Sequence, residues 1–243
     1  MGLNLAITSG KGGVGKSTVA IGLANAFCKM GEKVLLVDMD EGLRCLDLML
    51  GVDGETVFDL SDVVEKGNVE SALYNVEYIS GLSLIPAPQQ LGKLDFNKFK
   101  TFANSLGDKF TVVIFDFAAG IDFNLYTALP TDTVFLTVAS QDPVSVRDAG
   151  VVSKSLNDNN LATRLVVNNF KYSHLKTKVY GSIDNLIDAA CLQLVGIVPQ
   201  SDELRYYSIK RKIKKNGKAN KAFVRIANRL KGNMLPIPKP KSI

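Results

Sequence analysis

A glycine-rich stretch near the start of the chain has the composition of an anion-binding loop. Residues 8–18 read TSGKGGVGKST. Glycines let successive backbone N–H groups point inward around a phosphate, and the spacing satisfies the phosphate-binding loop pattern. In that pattern the lysine, Lys16, reaches the β- and γ-phosphates, and the hydroxyl of Ser17 binds Mg²⁺. We therefore expect ATP phosphates to lie against these residues: Gly10, Lys11, Gly12, Gly13, Val14, Gly15, Lys16, Ser17 and Thr18.

Carboxylates follow two apolar runs further along the chain. The run KVLLV is followed by Asp38 and Asp40, and the run TVVIF is followed by Asp116. At the carboxyl ends of parallel strands, such groups meet beside the phosphate loop, where Mg²⁺ and the attacking water are handled. Asp116 fits the Walker B arrangement, in which it holds Mg²⁺ through a water or through Ser17. Helix capping or simple surface acidity is the alternative for Asp38 and Asp40.

Apolar runs that alternate with amphipathic segments must position these groups. The pattern predicts a doubly wound α/β fold, a three-layer P-loop NTPase whose mostly parallel sheet has helices on both faces. The predicted strands are Leu3–Thr8, Glu32–Val37, Leu82–Ile85, Thr111–Asp116, Asp132–Ala139, Leu161–Val167 and Leu194–Pro199. The predicted helices are Ser17–Met30, two short ones within Thr56–Tyr74, Phe96–Leu106, one starting near Pro143, and a last one with apolar residues from Ala222 to Leu230.

Length and composition indicate one domain. With 243 residues and 46% hydrophobic content the chain can bury a substantial core, and we expect residues 1–231 to form it, followed by a proline- and lysine-rich tail, 232–243. The three cysteines are widely spaced and form no CxxC pair, which argues against disulfides, a zinc site or an iron–sulfur cluster. The sequence shows no signal peptide or membrane span, and a reducing cytoplasm is the simplest compartment.

The charge is distributed unevenly. Residues 1–204 contain 16 lysines and arginines and 24 acidic residues, whereas residues 205–243 contain 13 lysines and arginines and no acidic residue. This basic segment either forms a solvated surface or attracts the phosphates of lipid or DNA. His174, the only histidine, has no histidine or cysteine nearby, so we expect a surface role for it and no metal.

Two motifs resemble the MinD/ParA family of ATPases. KGGVGKST looks like the deviant Walker A motif of that family, and VDMDEGLRCLD looks like the first switch region of its MinD branch. The resemblance implies that Lys11 reaches across a nucleotide-sandwiched homodimer to the partner's phosphates. It also implies that Asp40 orients the hydrolytic water and that Asp38 helps to organise the Mg²⁺ shell.

The resemblance continues, with departures, through the rest of the chain. FAAG after Asp116 resembles the second switch, whose pattern has proline where Ala118 stands and whose glycine, Gly120, could sense a γ-phosphate. By resemblance Asn168 pairs with the adenine edge, although a plain turn asparagine is the alternative. Pro199 and the residues 200–203 resemble the loop that packs on the adenine.

Three functions remain open at this point. The leading one is a MinD-like ATPase that dimerises with Mg·ATP, positions septum-site machinery at the membrane with a regulatory or cargo protein, and resets on hydrolysis. The alternatives are a ParA-like partition protein that binds DNA non-specifically and an FlhG-like regulator of flagellar number. The residues MLPIPKPKSI cannot form the membrane-binding amphipathic helix that commonly ends the MinD branch, so only electrostatic attraction to anionic lipid remains.

Overall fold

The computed structural model describes residues 2–176, 180–205, 207–210, 214 and 216–243. Within them lie these strands: β1 (Leu3–Thr8), β2 (Val34–Asp38), β3 (Tyr74–Asn75), β4 (Leu82–Ile85), β5 (Val112–Asp116), β6 (Val134–Ala139), β7 (Thr163–Phe170) and β8 (Leu194–Pro199). The helices are α1 (Lys16–Lys29), α2 (Leu46–Leu50), α3 (Leu60–Lys66), α4 (Phe96–Ser105), α5 (Phe123–Ala128), α6 (Pro143–Asp158), α7 (Ile183–Ala190), α8 (Asp202–Arg205), α9 (Tyr207–Lys210) and α10 (Lys218–Leu230).

The strands form one sheet with the order β3-β4-β2-β5-β1-β6-β7-β8. All neighbours are parallel except β3, which pairs antiparallel with β4 at the edge. The central strands β2 and β5 are buried at every position, as parallel strands covered on both faces usually are. The doubly wound α/β architecture expected from the sequence is thereby confirmed.

Helices cover both faces of the sheet and make it a three-layer structure. On one face, α1 and α10 pack against side chains such as Leu5, Leu36 and Ile114. On the other face, α3, α4 and α5 pack against alternate residues of the same strands, including Leu35, Val113 and Phe115. The period-2 alternation of the strands sends neighbouring apolar residues into opposite cores.

The last helix docks through close backbone approach. The stripe predicted from the sequence is buried, including Phe223 and Ile226. Phe223 lies over Gly22 of α1, and Ile226 lies over Gly196 of β8, so closely that a Cβ at either glycine would collide with the side chain above it. The contact therefore depends on residues that have no side chain.

Most predicted elements are present, and many of their bounds shift by one or two residues, as those of β2, β5 and β6 do. β1, β4 and β8 have the predicted bounds. β7 was predicted to end before Asn168, but it continues to Phe170, with irregular pairing to β8 after Val167. The second of the two helices expected within 56–74 is a single 3₁₀ turn, Val69–Ala72.

The tail lies on the domain. Between Lys231 and the end of the chain the only regular structure is a 3₁₀ turn, Pro240–Ser242, as expected for a segment with three prolines. Ile237 and Ile243 pack against the apolar cluster formed by β7, α7 and the turn at Tyr172–Lys176. Among the described residues, no helix combines the length and apolar character needed to cross a bilayer.

Candidate nucleotide site

The phosphate loop connects β1 to α1 and depends on left-handed glycines. Gly13 has φ of 76° and Gly15, the residue before α1, has φ of 91°. Side-chained residues rarely adopt these values, and a Cβ at Gly15 would also collide with the Asn168 amide. Val14 between them is buried, so it anchors the loop to the core. The backbone is thus shaped as a cradle for phosphate at the start of a helix.

The two lysines of the loop have different surroundings. Lys16 is the first residue of α1, and its charge acts on the carboxylates of Asp40 and Asp116. Lys11 is exposed, and its Nζ lies 2.7 Å from Oδ2 of Asp142 in the same chain. That ion pair lowers the pKa of Asp142, which also caps α6 by accepting from the backbone N–H of Ser145. Asp142 therefore holds Lys11 beside the loop.

Two buried carboxylates end β2 and β5, and one of them, Asp116, interacts with Ser17. Asp38 and Asp116 end neighbouring parallel strands and are directly opposite each other in the β2/β5 register. Burial raises the pKa of Asp116 to about 8, and the negative charge of Asp38 adds to the shift. Its Oδ1 is buried and has no hydrogen-bond partner. Mg²⁺ prefers oxygen ligands and keeps several waters, so a hydroxyl with two carboxylates fits this ion.

Asp38 is bound by the backbone of the first switch region. Its Oδ1 accepts from the N–H of Asp40 at 3.0 Å, and its Oδ2 accepts from the N–H of Leu46 at 3.1 Å. Burial nevertheless raises its pKa to about 6. Both oxygens are used in this way, so Asp38 connects the metal region to residues 40–46. Asp40 is only partly buried, which leaves its carboxylate accessible to water.

Cys45 is a site residue that the sequence alone did not reveal. Its thiol lies 3.4 Å from the hydroxyl of Ser17. Burial raises the pKa of Cys45 to about 11, so the thiol stays protonated at neutral pH. The signal for it is its place in GLRCLD, within the segment that resembles the first switch region.

A cavity of about 720 Å³ opens beside the loop, a volume suited to a nucleotide. Asn168 lies at its base: the amide Nδ2 donates to the carbonyl oxygen of Val14 at 2.8 Å, and Oδ1 is buried without a partner. The free acceptor fits the predicted contact with an adenine amino group. Asn168 belongs to β7, whereas the alternative was an asparagine in a turn.

The cavity wall includes some predicted residues and several new ones. Of the residues 200–203 expected near the adenine, Gln200, Ser201 and Asp202 line the cavity and Glu203 does not. Pro199 is buried at the end of β8 and is not a lining residue. His174 is exposed, as predicted for a surface residue, but it also faces the cavity. Further lining residues that sequence reasoning missed are Gln141, Lys171, Tyr180, Leu204 and Arg205.

The second switch region lies against the phosphate loop. The N–H of Gly120 donates to the carbonyl oxygen of Ser9 at 2.9 Å, and the two residues form an isolated antiparallel bridge. Gly120 has φ of 111°, a value that requires glycine. Its carbonyl oxygen accepts from the Tyr126 hydroxyl at 3.1 Å. Residues that follow the Walker B strand are thereby joined to the loop that precedes α1.

Comparison with known proteins agrees with this geometry. Residues 5–213 match the model of the CobQ/CobB/MinD/ParA nucleotide binding domain. The chain belongs to this family. It is 32% identical to the septum site-determining protein MinD of Helicobacter pylori over 245 residues, which cover 96% of this chain and 91% of the relative. As a MinD-like member, it is a P-loop ATPase that uses ATP and Mg²⁺, which confirms the cofactors expected from the sequence.

Solved structures of the MinD branch have the same fold. MinD of the MinC:MinD cell division protein complex from Aquifex aeolicus superimposes with a TM-score of 0.87 at 28% identity, with 98% of each chain covered. MinD from Pyrococcus horikoshii, complexed with Mg-ADP, superimposes with a TM-score of 0.81 at 25% identity, covering 95% of this chain and 96% of that one. The resemblance extends beyond residue 205, where the sequence motifs ended.

Proposed function

We propose that this chain is a septum site-determining ATPase of the MinD type, which dimerises on binding ATP, acts at the cytoplasmic face of the membrane, and resets by hydrolysing ATP to ADP and phosphate. The observation that carries the proposal is the near-complete match to MinD proteins in sequence and structure. The site supports it, because the left-handed glycines, the buried carboxylates and the cavity lie at one edge of the sheet.

Each group of residues has its own role in phosphoryl transfer. The loop N–H groups and Lys16 would hold the phosphates, and Ser17, Asp38 and Asp116 would hold Mg²⁺, which neutralises charge on the transferred group when bound. Asp40 is close to Lys16 and accessible to water, so we assign it the orientation of the attacking water. Asn168 would accept from the adenine through Oδ1.

The role of Lys11 requires a second copy of the chain. Its exposed ammonium is paired with Asp142, and because solvent screens an exposed ion pair, little free energy is lost when this pair breaks. We infer that in the ATP-bound homodimer Lys11 leaves Asp142 and neutralises phosphate charge across the interface. This exchange would link dimerisation to the presence of ATP.

The partners are proposed on the same basis. MinD of Aquifex aeolicus is solved in a complex with MinC, and we infer that a regulatory protein also binds this chain. The basic segment 205–243 would add attraction to anionic lipid, worth about 1 kcal/mol for each basic residue near the surface. Non-specific DNA is the competing target for the same charges.

A lysine substitution tests the ATPase proposal. Lys16→Ala removes the phosphate-binding ammonium, and we expect kcat for ATP hydrolysis to fall at least about 100-fold because charge stabilisation of the transferred group is lost. Phosphate release is measured, with Lys100→Ala on the exposed face of α4 as the matched loss of charge. A Lys16→Ala protein that hydrolyses ATP like its parent would show that the chemistry resides elsewhere.

A further inference from the structure

A tyrosine hydroxyl holds the loop that follows the Walker B strand. Tyr126 lies in α5, and its Oη donates to the carbonyl oxygen of Gly120 at 3.1 Å. On its other side Gly120 donates its N–H to Ser9, the residue where the phosphate loop begins. Gly120 is therefore bound from two directions, and of these two bonds the one from Tyr126 comes from outside the two loops.

The Tyr126 hydroxyl has a fixed direction. The side chain is 2% exposed, and its ring meets Phe117 edge-on at 4.9 Å and Phe135 at 5.2 Å between centroids. A third ring, that of Phe123, lies 6.2 Å away. These contacts fix the ring, so the hydroxyl points at one acceptor. Burial raises the pKa of Tyr126 to about 12, so the hydroxyl remains a donor at any physiological pH.

The loop lacks the proline that would restrict its backbone. Ala118 stands where the pattern of the second switch has proline, so the backbone there has no ring to fix φ. Gly120 itself, at φ of 111°, is the residue type that loses most conformational freedom when it is ordered. A bond from a rigid side chain to the Gly120 carbonyl restricts that freedom before ATP binds.

We propose that Tyr126 is a positioning residue for ATP hydrolysis: its hydroxyl holds Gly120 against the phosphate loop, so that residues 117–122 are ordered in the place where the γ-phosphate arrives. The inference rests on the proposed ATPase function. Tyr126 is not among the residues that line the cavity, and its hydroxyl donates to Gly120. Its removal is therefore expected to slow turnover while leaving nucleotide affinity nearly unchanged.

Two matched variants test this role. Tyr126→Phe keeps the ring and deletes the hydroxyl, and Tyr74→Phe deletes a hydroxyl that donates to the carbonyl oxygen of Phe58, also at 3.1 Å, at the far edge of the sheet. In Tyr126→Phe we expect kcat to fall about 10-fold and the Kd for ATP to stay within about twofold of the parent. Tyr74→Phe should leave both constants at the parental values.

Amide hydrogen exchange provides a readout that does not depend on activity. Without nucleotide, residues 117–122 should exchange about fivefold faster in Tyr126→Phe than in the parent, and Tyr74→Phe should leave their exchange unchanged. Unchanged exchange in Tyr126→Phe overturns the inference, and so does a Kd that rises as much as kcat falls. A parent that binds ATP without hydrolysing it would contradict the proposed function instead, while the exchange result would still decide the role of Tyr126.

Discussion

Burial of Asp116 makes the stability of the metal-free protein depend on pH. Its pKa of about 8 in the folded chain lies far above the value of 3.8 expected when it is exposed, so the folded state keeps a proton that the unfolded state has lost. The unfolded state therefore binds fewer protons between these two values, and stability must fall as pH rises. From pH 6 to 8 the pKa of Asp38, about 6, adds little to the slope.

A neutral substitute for Asp116 should remove this dependence. In EDTA, we expect the free energy of unfolding of the parent to fall by about 1 kcal/mol for each pH unit between 6 and 8, and that of Asp116→Asn to change much less. Urea denaturation at pH 6, 7 and 8 measures the slopes, with Asp53→Asn in an exposed turn as the control. Equal slopes for the parent and Asp116→Asn would mean that the carboxyl is ionised in the metal-free fold.

At the scale of elements, α1 and α10 meet through a glycine. An alanine in the middle of an exposed helix is normally about 1 kcal/mol more stable than a glycine. At Gly22 we expect the opposite, a loss of about 1–3 kcal/mol, because the added methyl would collide with the Phe223 ring in a packed core.

Denaturation with urea tests the packing of these two helices. Gly54→Ala is the matched control, since Gly54 has no neighbour that an added Cβ would meet and has an ordinary φ. A Gly22→Ala protein as stable as its parent would indicate that α10 does not lie on α1 as described. Restoration of stability by shortening the facing side chain, in Gly22→Ala with Phe223→Leu, would place the strain at this contact.

Helices and strands could be predicted from the sequence where the local hydrophobic pattern determines them. β4 and β8 are apolar runs ended by proline or by a change to polar residues, and the period of the pattern was sufficient to place them. The end of β7 could not be predicted in this way, because its last residues include two asparagines. The first of them, Asn168, lies in the strand and donates to the carbonyl oxygen of Val14, 154 positions away in the phosphate loop. No local propensity encodes such a contact.

The site was predictable in its residue types and less so in its connections. The glycines and the three aspartates followed from spacing and from position after apolar runs. The pairing of Lys11 with Asp142, and that of Ser17 with Cys45, join segments that only the folded sheet brings together. Sequence patterns identify the residues that the reaction requires, whereas the contacts that hold those residues in place depend on the tertiary structure.

For the molecule as a whole, the decisive question is which surface the ATP-bound form engages. With vesicles that contain anionic phospholipid at physiological salt, we expect the parent to sediment with ATP and not with ADP. Lys11→Ala should remain in the supernatant in both cases, because it lacks the group proposed to complete the dimer. Lys100→Ala, which loses an exposed charge on α4, should sediment like the parent.

The same vesicle experiment can also contradict these proposals. Absence of the parent from the vesicle pellet with ATP would contradict the membrane proposal. ATP-dependent binding to DNA of any sequence, falling steeply with salt, would then assign the basic segment to nucleic acid. Sedimentation of Lys11→Ala with ATP would contradict the role of that lysine in dimerisation.

The docked tail also affects how the protein can be labelled in a cell. Because Ile237 and Ile243 are packed into the cluster beside α7, a fluorescent protein fused after Ile243 would compete with that packing. The turn at 53–55 projects into solvent and carries no positive φ, so a reporter inserted there would leave the folded surface intact. Localisation images obtained with a fusion at Ile243 would thus describe a molecule in which this packing is altered.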